Sequence, residues 1–124
     1  MSKLNRSLSK RSNCPIATTL DIVGDKWTLL IIRDIGLFGR HRNKDFQDAG
    51  EGIPTNILAN RLKMLVEKGV LEKRPYQDNP PRFDYHLTES GKGLVTVIRS
   101  MALWAEKNIE GIRIPEIVRK SDRS

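Results

Sequence analysis

The chain has 124 residues, with 22 lysines and arginines against 15 aspartates and glutamates, and its formal net charge is +7. This length supports one domain with a single core. The positive charge favours a polyanionic partner, with nucleic acid ahead of an anionic membrane surface. The apolar runs, such as residues 29–32, are far shorter than the roughly 18 residues of a membrane span, and residues 1–13 lack the apolar core of a signal peptide. We therefore expect a cytoplasmic protein that does not bind membranes.

The residue types that carry catalysis or bind metals are sparse in this sequence. Cys14 is the one cysteine, which excludes an internal disulfide framework and fits a reducing compartment. His41 and His86 are the two histidines and have no metal-ligand spacing around them. The sequence has no phosphate-binding loop, nucleophile elbow or metal triad. We expect no metal, no cofactor and no enzymatic activity.

The N-terminal part is predicted to contain a tail and two helices. Residues 1–13 are basic, contain no acidic residue and predict a flexible arm. A short helix should begin at Pro15 and end at Gly24, because proline suits the first helical position. A second apolar helix should have Asp25 as its N-cap. Two glycines should break it, Gly36 and Gly39.

The next segment has the pattern of a helix-turn-helix. Asn43 should cap a two-turn helix around Phe46, and Gly50 and Gly52 should close it. A longer helix should start at Pro54 and Thr55 and stop at Gly69. Its inner face is apolar and its outer face polar, and the two sets are Leu58, Leu62, Leu65 and Val66 against Asn56, Asn60, Lys63 and Glu67.

A hairpin and a long helix complete the predicted fold. Residues 70–76 and 82–87 alternate as strands do around the turn 77–81, and Pro75 suits an exposed edge. Thr88 should cap a helix that runs to about Asn108. The apolar stripe of this helix is wider than the core of one small domain needs. We expect residues 14–110 to form the domain and residues 111–124 to form a tail that is frayed after Pro115.

Several segments, taken in order, resemble the HxlR-type branch of the winged helix-turn-helix regulators, which is itself similar to the MarR group. The matching segments are Cys14 and Pro15, residues 24–31, Phe46, residues 52–53, residues 58–62, Gly69, residues 80–82 and residues 85–91. The resemblance implies a mainly α fold with a small β-hairpin wing (α+β). It also implies an inverted-repeat DNA operator and, in many members, sensing of oxidants or electrophiles. Pro54 departs from the pattern, since the family more often has a serine there.

The polar face of the longer helix should read DNA. Asn56 and Asn60 should reach base edges, since asparagine can bond adenine through two hydrogen bonds, and Thr55 should contact bases or phosphates. Lys63 should meet phosphate. In the wing, Arg82 should enter a minor groove or hold a phosphate, with Lys73 and Arg74 as weaker backbone contacts. The cations before and in the short helix, Arg40, Arg42 and Lys44, should bind phosphate, although a solvated charged loop is nearly as good an interpretation.

The first and last helices should join two chains. The resemblance implies a homodimer through these helices, and the candidate interface residues are Ile16, Leu20, Leu94, Val97, Ile98, Met101 and Trp104. Cys14 lies next to the first helix, and its position before the N-terminus favours the reactive thiolate. We expect Cys14 to sense oxidants or electrophiles, the alternative being a small packed residue. Two other functions stay open: a regulator with a small apolar effector at the dimer interface, and a protein-protein adaptor.

Overall fold

The computed structural model describes residues 12–119 and is mainly helical with one hairpin. The elements are α1 (Pro15–Val23), α2 (Thr28–Phe38), α3 (Asn43–Gln47), α4 (Thr55–Glu67), β1 (Leu71–Asp78), β2 (Pro81–Leu87), α5 (Glu89–Asn108) and α6 (Glu116–Arg119). Helices α3 and α4 form the helix-turn-helix and the antiparallel pair β1–β2 forms the wing, so the predicted winged fold is confirmed. Within residues 12–119, no helix is long and apolar enough to cross a membrane. Residues 1–11 of the predicted arm lie outside the described residues.

The core lies between α2, α4, the base of the wing and α5. It is built from the apolar stripes that the sequence predicts, and its most buried members include Ile31, Ile32, Ile35, Leu58, Leu62, Leu65, Val70, Leu71, Val95 and Ile98. Each such side chain contributes about 1.5–3 kcal/mol when it leaves water. Since α4 buries its stripe here, its polar face must point to solvent.

Helix α2 begins and ends later than the sequence predicts. The N-cap position is Trp27 rather than Asp25, but the Asp25 carboxylate still accepts the backbone N–H groups of Trp27 at 2.8 Å and Thr28 at 2.9 Å. Gly36 does not break the helix. It lies inside α2, where a Cβ atom would come within 2.7 Å of Val95 Cγ2, so it serves close packing on α5. The helix ends at Gly39, whose φ of 65° is left-handed.

Helices α3 and α4 follow the predicted helix-turn-helix with one correction. Arg42, and not Asn43, is the N-cap of α3, which has five residues and is shorter than two turns. The start of α3 is stabilised by Asp45, whose Oδ2 accepts the backbone N–H groups of His41 and Arg42, each at 3.2 Å. Helix α4 begins after Pro54 and ends just before Gly69, as predicted.

The wing is a two-stranded hairpin whose strands are longer than predicted and meet near Asn79 and Pro80. Pairing puts Lys73 opposite Tyr85 and Pro75 opposite Phe83, and the register then shifts between Pro75 and Gln77. Tyr76 is the extra residue of this β-bulge. Proline has no N–H to donate to the ladder, which explains why pairing is interrupted here.

Helix α5 starts as predicted and the C-terminal segment folds back on it. Thr88 caps α5 by accepting the Gly91 N–H at 3.3 Å. The expectation of a frayed segment after Pro115 is wrong for residues 116–119, which form α6. Val118 is buried there, and its carbonyl accepts Arg99 Nε–H at 3.0 Å.

Candidate nucleic-acid interface

The outer face of α4 carries the residues that the sequence predicts for base contact. Thr55, Asn56, Asn60 and Lys63 are all exposed. They lie opposite Leu58, Leu62 and Leu65, which are buried, and this packing fixes the polar side chains on the outside of the helix. Four exposed side chains with hydrogen-bonding capacity therefore lie along one face, as reading of base edges requires.

A basic groove lies between the start of α3 and the wing. It has a volume of about 490 Å³ and is lined by Arg42, Asn43, Lys44, Asp45, Lys73, Tyr76, Pro81, Arg82, Phe83 and Tyr85. Four of the predicted DNA contacts, Arg42, Lys44, Lys73 and Arg82, are thus brought together from two segments. Two hydrogen bonds fix these segments to each other, because Tyr85 N–H donates to the His41 carbonyl at 2.8 Å and His41 Nδ1 lies 2.9 Å from the Tyr85 carbonyl.

Two aromatic rings in this groove each support a cation. The guanidinium carbon of Arg42 lies 3.7 Å from the ring centroid of Tyr76. Lys73 Nζ lies 4.3 Å from the ring centroid of Phe83. Tyr76 and Phe83 were not identified as groove residues from the sequence. The signal that could have found them is the presence of aromatic residues in strands whose other side chains are typical of a solvent-exposed hairpin.

The structure separates Arg74 from this groove. Arg74 lies on the opposite face of the hairpin, where it pairs with Glu72 at 2.9 Å and stands opposite Asp84 in the register. The hydrogen bond from Arg74 lowers the pKa of Glu72, and the same bond raises the pKa of Arg74. Arg74 therefore does not belong to the cations that the basic groove brings together.

Arg40 is also turned away from the groove, toward a charged cluster that the sequence did not reveal. The buried Asp34 carboxylate, 3% exposed, pairs with Arg40 at 2.9 Å and with Arg33 at 2.8 Å. Arg33 also binds Glu51 through two hydrogen bonds of 2.9 Å, which lower the pKa of Glu51. This cluster joins α2 to the turn before α4 and so holds the start of that helix.

A second ion pair joins the residues just before α2 to the middle of α4. Arg61 Nη1 lies 3.5 Å from Asp25 Oδ2. Burial acts to raise the pKa of Asp25, but the hydrogen bonds from Thr28 and Trp27 and the charge of Arg61 outweigh it, and the pKa is lowered. Asp25 is therefore held as a carboxylate that both caps α2 and faces Arg61.

Cys14 and the predicted dimer face lie on α1 and α5. Cys14 is exposed at the N-cap of α1, and its carbonyl accepts the Thr18 N–H at 2.9 Å. Ile16 is 71% exposed and Trp104 62%. The other predicted interface residues that remain exposed are Leu20, Val97 and Met101. Ile98 does not belong to this exposed face, which corrects its prediction as an interface residue, because it is 8% exposed and packs in the core of its own chain. Leu94 is half-buried against the same core.

A family model described as HxlR-like helix-turn-helix matches residues 22–113. The chain belongs to this family. The matched range contains α2 to α5, and with them α4 and the basic groove, whereas Cys14 lies before it. The recognition of an HxlR-like sequence is thereby confirmed.

Relatives of this HxlR-like chain are named as regulators. YdeP, an HTH-type transcriptional regulator of Bacillus subtilis, is 35% identical over 109 residues, which cover 88% of this chain and 84% of YdeP. An HTH-type transcriptional regulator of Mycobacterium tuberculosis is 38% identical over 92 residues, which cover 74% of this chain. The match spans only 57% of that mycobacterial relative. Both relatives are named as transcriptional regulators, the class that the sequence predicts.

Solved structures agree with the HxlR-like fold. A MarR-family regulator from Porphyromonas gingivalis W83 superposes with a TM-score of 0.71 at 34% identity, covering 84% of this chain and all of the other. The redox regulator HypR in its oxidized form superposes with a TM-score of 0.69 at 30% identity, covering 78% of this chain and 99% of HypR.

Proposed function

We propose that this chain is a transcriptional regulator that binds an inverted-repeat operator in double-stranded DNA as a homodimer. The observation that supports this most directly is the exposed polar face of α4 beside a groove in which Arg42, Lys44, Lys73 and Arg82 converge. A helix of this kind fits the major groove, and cations beside it hold the sugar-phosphate backbone. Asp45 is the acidic side chain in the groove lining, and its Oδ2 accepts two backbone N–H groups.

Each side chain has a role that follows from its chemistry and position. Thr55, Asn56 and Asn60 read bases, with the asparagines donating to and accepting from adenine. Lys63 at the same face contacts phosphate. In the groove, Arg82 near the hairpin tip enters the minor groove or holds a phosphate, and the remaining cations bind phosphate.

Selection from a random-sequence duplex library, followed by anisotropy titrations at several salt concentrations, tests the proposal. The selected sites should be inverted repeats. Asn60→Ala should cost about 1–3 kcal/mol of discrimination at one base pair, because a bidentate contact is lost. Lys63→Ala should weaken all duplexes alike and reduce the salt slope by roughly 0.9 per lost phosphate contact.

Arg74→Ala is the matched control, since it removes an exposed wing cation from the face opposite the groove. Its affinity and salt slope should equal those of the wild type. A protein that binds no duplex at low salt, or variants of Asn60 and Lys63 that match the wild type, would contradict the proposed DNA-binding surface. Retained binding to a protein partner in that case would favour the adaptor function.

The exposed apolar side chains of α1 and α5 support the homodimer. Ile16 and Leu20 on α1, with Met101 and Trp104 on α5, are each more than half exposed within one chain. A second copy that covers them would remove a large apolar area from water, at about 25 cal/mol per Å². Two-fold symmetry would then present two copies of α4 to successive major grooves, about 34 Å apart.

We also propose that Cys14 makes this regulator responsive to thiol oxidation. Its exposed position at the N-cap of α1 supports access by oxidants, and the similarity to the redox regulator HypR supports the chemistry. Diamide takes up two electrons and two protons from two Cys14 thiols, and one S–S bond forms between chains. Because α1 belongs to the proposed dimer face, such a bond would change the spacing of the two α4 helices.

Titration with diamide tests the role of Cys14. Wild-type protein should form a reducible covalent dimer and change its operator affinity, and reduction should restore it. Cys14→Ser, which removes the chain's one cysteine, should keep the wild-type affinity and lose the response. A Cys14→Ser variant that still responds to diamide, or a wild-type thiol that resists labelling, would contradict redox sensing and leave the DNA-binding proposal standing.

An apolar effector is the other regulatory hypothesis. A cavity of about 140 Å³ lies between α1 and the start of α5, lined by Thr19, Ile22, Val23, Val70, Ser90 and Leu94. Ligand pockets commonly measure about 300–1,000 Å³. This cavity alone is smaller than that range, so an effector at the dimer interface would need the second chain to complete its pocket.

A further inference from the structure

We infer that Tyr76 is a positioning residue that holds the Arg42 guanidinium ready for a phosphate of bound DNA. This inference rests on the proposed function, because Arg42 is one of the four cations of the basic groove. It assigns a role to a wing residue that contributes no charge.

The β-bulge turns Tyr76 toward the groove. In an unbroken strand, alternate side chains share a face, so Tyr76 would lie on the face of Arg74 and away from Lys73. Instead Tyr76 lines the same groove as Lys73, Phe83 and Tyr85. The register shift between Pro75 and Gln77 accounts for the change, since a bulge inserts one residue and re-aims the side chains after it.

The Tyr76 ring contacts the face of Arg42. The guanidinium carbon lies 3.7 Å from the ring centroid, a stacking distance. The two segments that carry the pair are joined by the hydrogen bonds between His41 and Tyr85, so the separation of ring and cation is set by the framework. Among residues 12–119 no acidic side chain forms an ion pair with Arg42.

A stacked guanidinium keeps its hydrogen-bond donors. The ring occupies the flat face of the cation, whereas the five N–H groups point outward in its plane, where a phosphate can accept two of them. Stacking also restricts the long side chain before DNA arrives, which lowers the entropy lost on binding. Tyr76 thus affects DNA affinity through Arg42 without contacting phosphate itself.

A double-mutant cycle on the full-length protein tests this role. The probe is a labelled duplex carrying a selected site, titrated at fixed salt. Tyr76→Leu should weaken binding about two- to fivefold, the range of an exposed cation-π contact. Tyr76→Phe keeps the ring and should bind like the wild type. In an Arg42→Ala background, Tyr76→Leu should cause no further loss, because the residue acts only through Arg42.

Several results would overturn the inference. An additive loss in the Arg42→Ala background would mean that Tyr76 acts on DNA directly, and a Tyr76→Phe variant as weak as Tyr76→Leu would assign the effect to the hydroxyl. Tyr76→Thr, which keeps β-propensity, repeats the test if the leucine variant melts early. Wild-type protein that binds no duplex would remove both this inference and the proposed function, whereas wild-type binding without coupling would remove this inference alone.

Discussion

Gly91 in the first turn of α5 lies where a side chain has no room. A Cβ atom at this position would come within 2.4 Å of the Val70 carbonyl oxygen and 3.1 Å of Leu87 Cδ2. The Val70 carbonyl also accepts the Thr88 N–H at 3.1 Å, directly before the helix. Because a backbone oxygen in such a bond cannot swing aside as a side-chain end can, Gly91→Ala must push α5 away from the base of the wing.

The expected loss of stability follows from three contributions. Overpacking of a tight contact costs about 1–3 kcal/mol, and the upper end applies where the neighbour is backbone. Weakening of the Thr88–Val70 hydrogen bond costs about 1 kcal/mol. The better helix propensity of alanine returns up to about 1 kcal/mol. Gly91→Ala should therefore destabilise the protein by about 2–3 kcal/mol, which corresponds to a fall in Tm of roughly 10 °C.

Gly93→Ala is a matched control in the same helix. A Cβ atom at Gly93 meets nothing within 4 Å. Only the propensity gain remains, so this variant should be more stable by about 0.5–1 kcal/mol. Thermal and urea unfolding at one protein concentration measure both, since dimer stability depends on concentration. If Gly91→Ala leaves Tm unchanged or raises it, as Gly93→Ala should, the close approach of α5 to Val70 is refuted.

Two further outcomes are expected. The hydrogen bond from Arg33 lowers the pKa of Glu51, so the stabilisation by this pair is complete above the ordinary pKa of 4.5 and is lost as pH falls through the folded-state pKa. Glu51→Gln should therefore flatten the fall of Tm between about pH 5 and pH 3. An unchanged slope of Tm against pH would count against the Arg33–Glu51 pair. In sedimentation velocity at micromolar concentration, the wild type should be a dimer and Trp104→Asp a monomer. Lys44→Asp, which lies outside α1 and α5, should stay dimeric. A dimeric Trp104→Asp protein would contradict the proposed dimer face on α1 and α5.

Features that depend on neighbouring residues were predictable from the sequence. The cap at Thr88 and the bounds of α4 at Pro54 and Gly69 are local signals, because capping and left-handed turns need only a few adjacent residues. The outward face of α4 followed from its apolar stripe in the same way. These elements place Asn56 and Asn60 on the exposed side of α4.

The misses come from contacts between residues that are distant in sequence. Asp34 reads as one more position of an apolar helix, and its pairing with Arg40 exists only once the chain folds. Arg74 follows Lys73 by one position, and strand alternation sends the two to opposite faces. The bulge at Tyr76 changes that alternation, so groove membership required the actual register. The fold-back of α6 likewise depends on Arg99, which lies on a different helix.

The two ion pairs that hold α4 limit how the proposed DNA preference of this helix can be transferred to another protein. Glu51 before the helix pairs with Arg33, and Arg61 within it faces Asp25, so both partners belong to α2 or its approach. A chimera that moves residues 51–67 alone carries a carboxylate and a guanidinium into a host that lacks their counterparts. Helix α4 is therefore not an interchangeable unit, and a graft of the proposed specificity has to bring residues 25–34 with it.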